Sequence, residues 1–145
     1  MLGNYYPDRF PSFWTEFNKA ADNGHIVSVR EVLRELENQI TKPWLRDWID
    51  GRRRLFEAPS DEETEFVREI FSVRHFQALV GQKQRLKGTP VADPWVIACA
   101  RARGWCVVTE EEHRPNAAKI PNVCEHFEIP CLGLEGFLED RDWRF

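Results

Sequence analysis

Carboxylates stand at three places in the chain where predicted helices and strands meet. Asp93 opens one predicted helix, Glu110 and Glu111 follow the apolar run at 105–109, and Glu35 lies on an earlier helix. Carboxylate oxygens from separate elements bind hard cations such as Mg²⁺ or Mn²⁺. A cation held in this way lowers the pKa of a bound water and stabilises a phosphodiester during in-line displacement. If these side chains converge, the sequence predicts a centre for metal-assisted phosphodiester hydrolysis.

The stretch that begins at Asp93 predicts one helix followed by one buried strand. Asp93 is expected to be the N-cap, Pro94 the first helical residue and Gly104 the residue that ends the helix. Residues 105–109 are apolar and β-branched without polar alternation, which is typical of a buried strand in a parallel sheet. Because sites in open α/β sheets form beyond the carboxyl ends of strands, Asp93 and the glutamates are expected at one edge.

Each acidic residue also has an ordinary structural explanation. Asp93 can be no more than a helix cap, and the glutamates after residue 109 can form a solvated loop. Glu31 and Glu35 lie four residues apart on one helix face, and a solvated acidic edge is the commoner fate of such a pair. Under this alternative the chain is an α/β interaction protein, and binding of a divalent cation separates it from the catalytic interpretation.

Capped or amphipathic runs predict helices along the rest of the chain, with short apolar strands between them. Helices are expected at 11–21, 30–40, 43–54, 61–80, 121–127 and 134–139, and further strands at 25–28 and 129–132. Helices that alternate with at least three apolar strands predict an α/β fold with a parallel sheet covered on both faces. The length favours a single domain over residues 1–145.

Two basic segments are candidates for binding RNA. They are Arg52, Arg53 and Arg54 at the end of a predicted helix, and Lys83, Arg85 and Lys87 in a glycine-bounded loop. Cations at a helix end also suit the helix dipole, and a basic loop is often only a solvated connector. The formal net charge of −4 offers no overall attraction to nucleic acid, so binding needs a local basic patch or a bridging cation.

The composition disfavours a disordered or membrane-spanning chain. Hydrophobic residues make up 42% of the sequence, and no apolar run approaches the length of a membrane span. The first residues lack the basic and apolar regions of a secretory signal, so a cytoplasmic location is expected. The cysteines form no C-x-x-C pair, which disfavours zinc, and Cys99 and Cys106 are expected to be buried and reduced.

Several segments together carry a family resemblance. Residues 92–100 and 107–111 resemble the A-D-x-x-I-A-x-A and V-T-x-D/E elements of PIN-domain nucleases, and residues 26–36 resemble the strand-to-helix segment that carries the PIN glutamate. Residues 5–14 and 119–127 are similar to parts of the DUF4411 group of small bacterial PIN-like proteins. The motifs occur in the same order over nearly the whole chain.

The resemblance implies a PIN-like three-layer α/β fold, in which helices flank a short parallel sheet. It also implies an endoribonuclease dependent on Mg²⁺ or Mn²⁺, in many relatives the toxin of a bacterial toxin–antitoxin pair. Carried over by position, Glu35, Asp93 and Glu111 are the implied metal ligands, with Glu110 as the alternative to Glu111. Thr109 is implied to orient the site through its hydroxyl.

RNA is then the expected substrate and an antitoxin an expected protein partner, while a homodimer is an open alternative for the assembly. No membrane partner is expected. The runner-up from a different class is a catalytically inactive PIN-like module that binds RNA or a protein.

One departure from the family pattern concerns the start of the sheet. Family members begin with a central apolar strand that ends in a turn whose aspartate is the first metal ligand. Here the match begins after that turn, and neither Asn4 nor Asp8 follows a strand. We therefore expect the first central strand and its aspartate to lie upstream, within about 15 to 20 further residues. Without that aspartate the cation site is expected to be weakened.

Overall fold

The structure, a computed structural model, describes residues 5–80 and 91–145. Within these ranges it is mostly helical, with four short strands. From the amino end the elements are α1 (Pro11–Asp22), β1 (Ser28–Val29), α2 (Arg30–Gln39), α3 (Pro43–Asp50), β2 (Phe56–Glu57), α4 (Asp61–Ser72), α5 (Asp93–Arg103), β3 (Val107–Val108), α6 (Ile120–His126), β4 (Cys131–Leu132) and α7 (Leu134–Asp140). In the described ranges, the helices all fall short of the length and apolar character that a membrane crossing requires.

The strands form two parallel two-stranded sheets. β1 pairs with β2, with Ser28 opposite Phe56, and β3 pairs with β4, with Val107 opposite Cys131. The predicted mixed α/β class and the parallel pairing are therefore confirmed. The expected single sheet is not seen in the described residues, where the two pairs remain separate.

Helix α5 contacts both sheets. It packs against β1 and β3 and also against α4. Pro94 lies in its first turn, and Gly104 ends it in the left-handed conformation at φ 66°. Glycine adopts this conformation without steric cost, so the sequence signal for the end of the helix is confirmed. The two sheets thus share one supporting helix.

Two hydrophobic cores hold the fold together. One lies between α4, α5 and α6 and includes Ile70, Ile97 and Val123, which are fully buried. The other is aromatic, and its central residues are Phe13, Trp14 and Phe17, with Trp44 and Trp48 packed against them. Helix α1 supplies the three central rings because its apolar residues share one face, as their spacing predicts.

Some predicted boundaries were wrong. Strand β3 begins only at Val107, because the Trp105 N–H still donates to the Ala100 carbonyl at the end of α5. Trp105 and Cys106 are consequently exposed, whereas Cys99 is buried as expected. The long helix predicted at 61–80 is also divided. α4 ends at Ser72, the next residue is extended, and a 3₁₀ segment follows at Arg74–Leu79.

Candidate acidic site

Glu35 and Asp93 meet at the amino end of α5. The Ala92 N–H donates to Glu35 Oε1 at 3.0 Å, and Glu35 is half-buried rather than solvated. Helix α5 begins at Asp93 with Ala92 in the cap position, so the predicted N-cap role of Asp93 was wrong. The bond to Ala92 holds the Glu35 carboxylate at the positive end of the helix dipole, next to Asp93.

Glu111 is held at both its backbone and its side chain. Its N–H donates to Thr109 Oγ1 at 3.1 Å, and its Oε2 accepts the Ile120 N–H at 2.9 Å. Ile120 is the first residue of α6, so a second helix amino end fixes this carboxylate. The Thr109 hydroxyl therefore holds the backbone at Glu111.

Burial and the charges of both glutamates raise the pKa of Asp93. Burial, followed by the nearby charges of Glu111 and Glu35, raises this pKa to about 6, and the charge of Lys119 acts in the opposite direction. A carboxyl group with this pKa is still protonated in a fraction of the molecules near neutral pH, and a nearby cation would favour its charged form. The structure thus brings together Glu35, Asp93 and Glu111 from α2, α5 and the loop after β3.

A cavity of about 1400 Å³ opens beside Asp93 and Glu111, and Glu35 is not part of its lining. Asp93, Glu110 and Glu111 line it, and so do the basic residues Arg114 and Lys119. Glu110 is exposed, and of the two glutamates in this loop it is Glu111 whose charge acts on Asp93. The acidic centre therefore faces an open space that also contains positive charge.

The chain matches the family described as "Domain of unknown function (DUF4411)" over residues 2–145. The chain belongs to the DUF4411 family. No curated protein and no solved structure matches it.

Lys119 is a residue of this DUF4411 site that sequence reasoning missed. It occupies the cap position of α6, lines the cavity and lowers the pKa of Asp93 through its charge. The available signal was a lysine immediately before the Ile-Pro start of a predicted helix, ten residues after Thr109. The spacing within this segment does not show that Lys119 lies near Asp93, which belongs to a different helix.

A second pair of carboxylates lies buried away from the cavity. Glu31 is only 3% exposed, pairs with Arg30 at 3.2 Å and has no hydrogen-bond partner at Oε2. Glu63 is also buried, and burial raises its pKa, with the charge of Glu31 as a smaller contribution. The expectation that Glu31 forms a solvated edge was therefore wrong.

The donor set of the acidic site suits a hard cation, although its geometry is not that of a formed metal centre. Glu35 and Glu111 each use one carboxylate oxygen to accept a backbone N–H. Carboxylate oxygens are the ligands that Mg²⁺ and Mn²⁺ prefer. In the part of the chain that the structure describes, no group of three His, Cys, Asp or Glu residues is arranged to hold a metal ion.

Of the two basic segments predicted from the sequence, the structure describes one, residues 52–54, and this segment does not line the cavity. Arg52 pairs with Asp22 and lies over the Trp48 ring, while Arg53 pairs with acidic groups of α2 and α3. Among the described residues, the cavity lining does not include arginines 52, 53 and 54. Lys83, Arg85 and Lys87 lie outside the described residues.

Proposed function

We propose that this DUF4411 protein is a PIN-like, metal-dependent endoribonuclease that acts as the toxin of a bacterial toxin–antitoxin pair. The observation that carries the proposal is the convergence of Glu35, Asp93 and Glu111, two of which, Asp93 and Glu111, line an open cavity. Burial and the charges of the two glutamates raise the pKa of Asp93. A raised carboxyl pKa in a cleft, with specific charged partners, is a recurring mark of functional sites. The mixed α/β fold with parallel strands is compatible with this assignment.

The three carboxylates would hold Mg²⁺ or Mn²⁺, with Glu110 as a further ligand from the same loop. The cation would lower the pKa of a bound water and stabilise the negative charge of the phosphodiester during the reaction. Asp93 would position the attacking water and accept its proton. Thr109 keeps the backbone at Glu111 in place through its hydroxyl, and the Ile120 N–H holds the Glu111 carboxylate.

Lys119 provides the positive charge that a phosphate needs in an otherwise acidic setting. Its side chain faces the cavity together with Arg114, so an RNA backbone that enters the cavity meets both. Because phosphate contacts position nucleic acid without reading sequence, these residues confer affinity rather than target choice. The two basic segments predicted from sequence remain proposed parts of a longer RNA path.

Cleavage of single-stranded RNA in the presence of Mn²⁺ tests this proposal. Asp93→Asn is expected to reduce the cleavage rate at least ~100-fold, because it removes a ligand and a proton acceptor. Glu112→Gln is the matched control, since Glu112 is exposed on the same loop, and it should retain activity. Equal cleavage by the wild type and Asp93→Asn would reject the proposal.

A catalytically inactive PIN-like module that binds RNA or a protein partner is the second candidate. It is favoured by the lack of a formed three-ligand metal group within residues 5–80 and 91–145. Under this alternative, RNA binds without cleavage, and binding weakens when Lys119 is changed to Gln but not when Asp93 is changed to Asn. The first candidate predicts loss of cleavage in both variants.

A further inference from the structure

Three cysteines lie where α6 meets the sheet formed by β3 and β4. Cys106 immediately precedes β3, Cys124 lies in α6, and Cys131 begins β4. The Ile129 N–H donates to the Cys124 carbonyl at 2.8 Å, so the chain turns back from the end of α6 directly into β4. All three cysteines are free thiols. Two of them can react with each other only if the fold brings their sulfur atoms together.

The two faces of this sheet separate Cys106 from the other two cysteines. Cys131 is opposite Val107 in the parallel pairing, so their side chains project from the same face. Val107 is buried in the same hydrophobic core as Cys124, and Cys131 packs against that core. Because side chains alternate along an extended chain, Cys106 projects from the opposite face, where it is exposed. The fold thus places Cys131 beside Cys124.

The two thiols of this pair differ in accessibility. Cys124 is only 1% exposed, and its thiol donates a hydrogen bond to the Cys131 sulfur. Cys131 is half-buried and lines a smaller cavity of about 390 Å³, together with Glu111, His113 and Glu125. A small solute that enters this cavity therefore reaches Cys131 before it can reach Cys124.

The contact between the two thiols also makes their reactivity unequal. The hydrogen bond from Cys124 lowers the pKa of Cys131, although burial and the charge of Glu111 oppose this effect. The same bond, together with burial, raises the pKa of Cys124. The thiolate rather than the thiol is the nucleophile, so Cys131 is the member of the pair that reacts first with an oxidant. Oxidation-sensitive cysteines commonly combine an accessible thiolate with a neighbouring second cysteine.

We propose that Cys131 is a site of reversible oxidation by peroxides, and that the buried Cys124 is the second thiol with which it forms a disulfide. The proposal rests on the face that the two residues share, on the contact between them and on the opening of the smaller cavity onto Cys131. The disulfide links α6 to β4 next to Glu111, whose carboxylate accepts the first N–H of α6. This inference does not depend on ribonuclease activity.

The reaction has two steps and consumes one molecule of hydrogen peroxide. In the first step the Cys131 thiolate attacks a peroxide oxygen. The S–O bond forms as the O–O bond breaks, and the departing hydroxide takes up a proton to become water, which leaves Cys131 as a sulfenic acid. In the second step the Cys124 sulfur attacks the Cys131 sulfur, and the S–S bond forms as the S–O bond breaks. The second hydroxide leaves as water with the Cys124 proton, so the two thiols together lose two electrons and the peroxide gains them.

Oxidation of the reduced 145-residue chain by hydrogen peroxide tests the proposal. After brief treatment, free thiols are alkylated, the chain is cleaved after Glu125 and Glu128, which lie between the two cysteines, and unreduced peptides are identified by mass spectrometry. A peptide pair joined through Cys124 and Cys131 is expected, and dithiothreitol should reverse the loss of about 2 Da from the intact mass. Cys131 should also be consumed at least ~10-fold faster than Cys106, although Cys106 is the more exposed thiol. Faster oxidation of Cys106, or a bond from Cys131 to a cysteine other than Cys124, overturns the proposal.

Three variants separate the roles of the thiols. Cys124→Ala removes the second thiol, so oxidation should stop at the Cys131 sulfenic acid, which dimedone labels. Cys131→Ser should abolish both the label and the disulfide. Cys106→Ser is the matched control and should form the disulfide at the wild-type rate, since Cys106 lies on the other face of the sheet. Dimedone labelling at a different cysteine in Cys124→Ala contradicts the proposal. If that variant does not fold, the relative rates of Cys131 and Cys106 in the wild type decide alone.

Discussion

Asp93 is the residue whose chemistry is most strongly shaped by the fold. Burial, followed by the charges of Glu111 and Glu35, raises its pKa from the ordinary value of 3.8 to about 6. Between these two values the folded state binds more protons than the unfolded state. The stability contributed by the neutral carboxyl is therefore fully present below pH 3.8 and is lost as the pH rises through about 6.

The first prediction follows from that titration. Asp93→Asn removes the charge that the folded state disfavours, so the free energy of unfolding should rise by about 2 kcal/mol at neutral pH, after allowance for partial exposure of the group. Below about pH 4 the substitution should change stability little. Urea unfolding at the two pH values measures both effects. Destabilisation at neutral pH would show that Asp93 has a favourable structural role.

A second prediction concerns the hydroxyl that orients Glu111. Thr109→Val leaves the Glu111 N–H without its acceptor at a half-buried position and should cost about 1 kcal/mol of stability. Thr109→Ser keeps the oxygen and should behave like the wild type. Thermal unfolding of the two variants is the measurement, and an equal effect in both would assign the loss to the Thr109 methyl group instead.

The acidic residues illustrate what sequence could predict at this scale. Asp93 and Glu111 lie at the ends of predictable elements, and Glu35 lies in the middle of the predictable helix α2. Burial of Glu31 was not predictable, since it depends on how α2 docks rather than on the spacing within the helix. The contribution of Lys119 was missed for the same reason: it reaches Asp93 from a different part of the chain.

Among the elements, α4 has the best-defined start. Ser60 Oγ accepts the Glu63 N–H at 3.2 Å, and the Ser60 backbone N–H bonds in return to the Glu63 carboxylate, which makes a capping box. Ser60→Ala should lower the free energy of unfolding by about 1 kcal/mol. Ser72→Ala, at the other end of α4, is the control and should have a smaller effect in the same chemical denaturation. Equal losses would mean that the cap adds nothing specific.

Helices were predicted better than strands for a physical reason. Prolines, caps and glycines mark helix ends, and these signals located α1, α2, α3, α5, α6 and α7 to within a few residues. The strands are two residues long, which is too short for a recognisable alternation. β2 in particular follows the arginine segment directly and was not predicted.

At the scale of the whole molecule, stability depends on the contact between α4 and α5. Ile97 of α5 is fully buried in the core that includes Ile70 of α4. Ile97→Ala should reduce the free energy of unfolding by about 2 to 4 kcal/mol, since it removes buried methyl groups and leaves a cavity. Val96→Ala, a partly buried neighbour on the same helix, should cost less. Chemical denaturation compares the two, and similar losses would show that this core is loosely packed.

The arrangement of the sheets was only partly predictable. Apolar, β-branched runs indicated parallel strands, and the parallel pairing of β1 with β2 and of β3 with β4 agrees. Separation of the pairs could not be read from these runs, because pairing between strands is decided by which segments fill the space between the helices. The family resemblance placed an upstream strand in that space as an expectation.

Titration of the 145-residue chain with Mn²⁺, followed by calorimetry at pH 6, tests the central claim most directly. If Glu35, Asp93 and Glu111 form a cation site, Mn²⁺ binds, and binding releases about half a proton because the cation favours the charged form of Asp93. Binding should be lost in Asp93→Asn and kept in Glu112→Gln. Absence of Mn²⁺ binding, or equal binding by Asp93→Asn, would contradict the account.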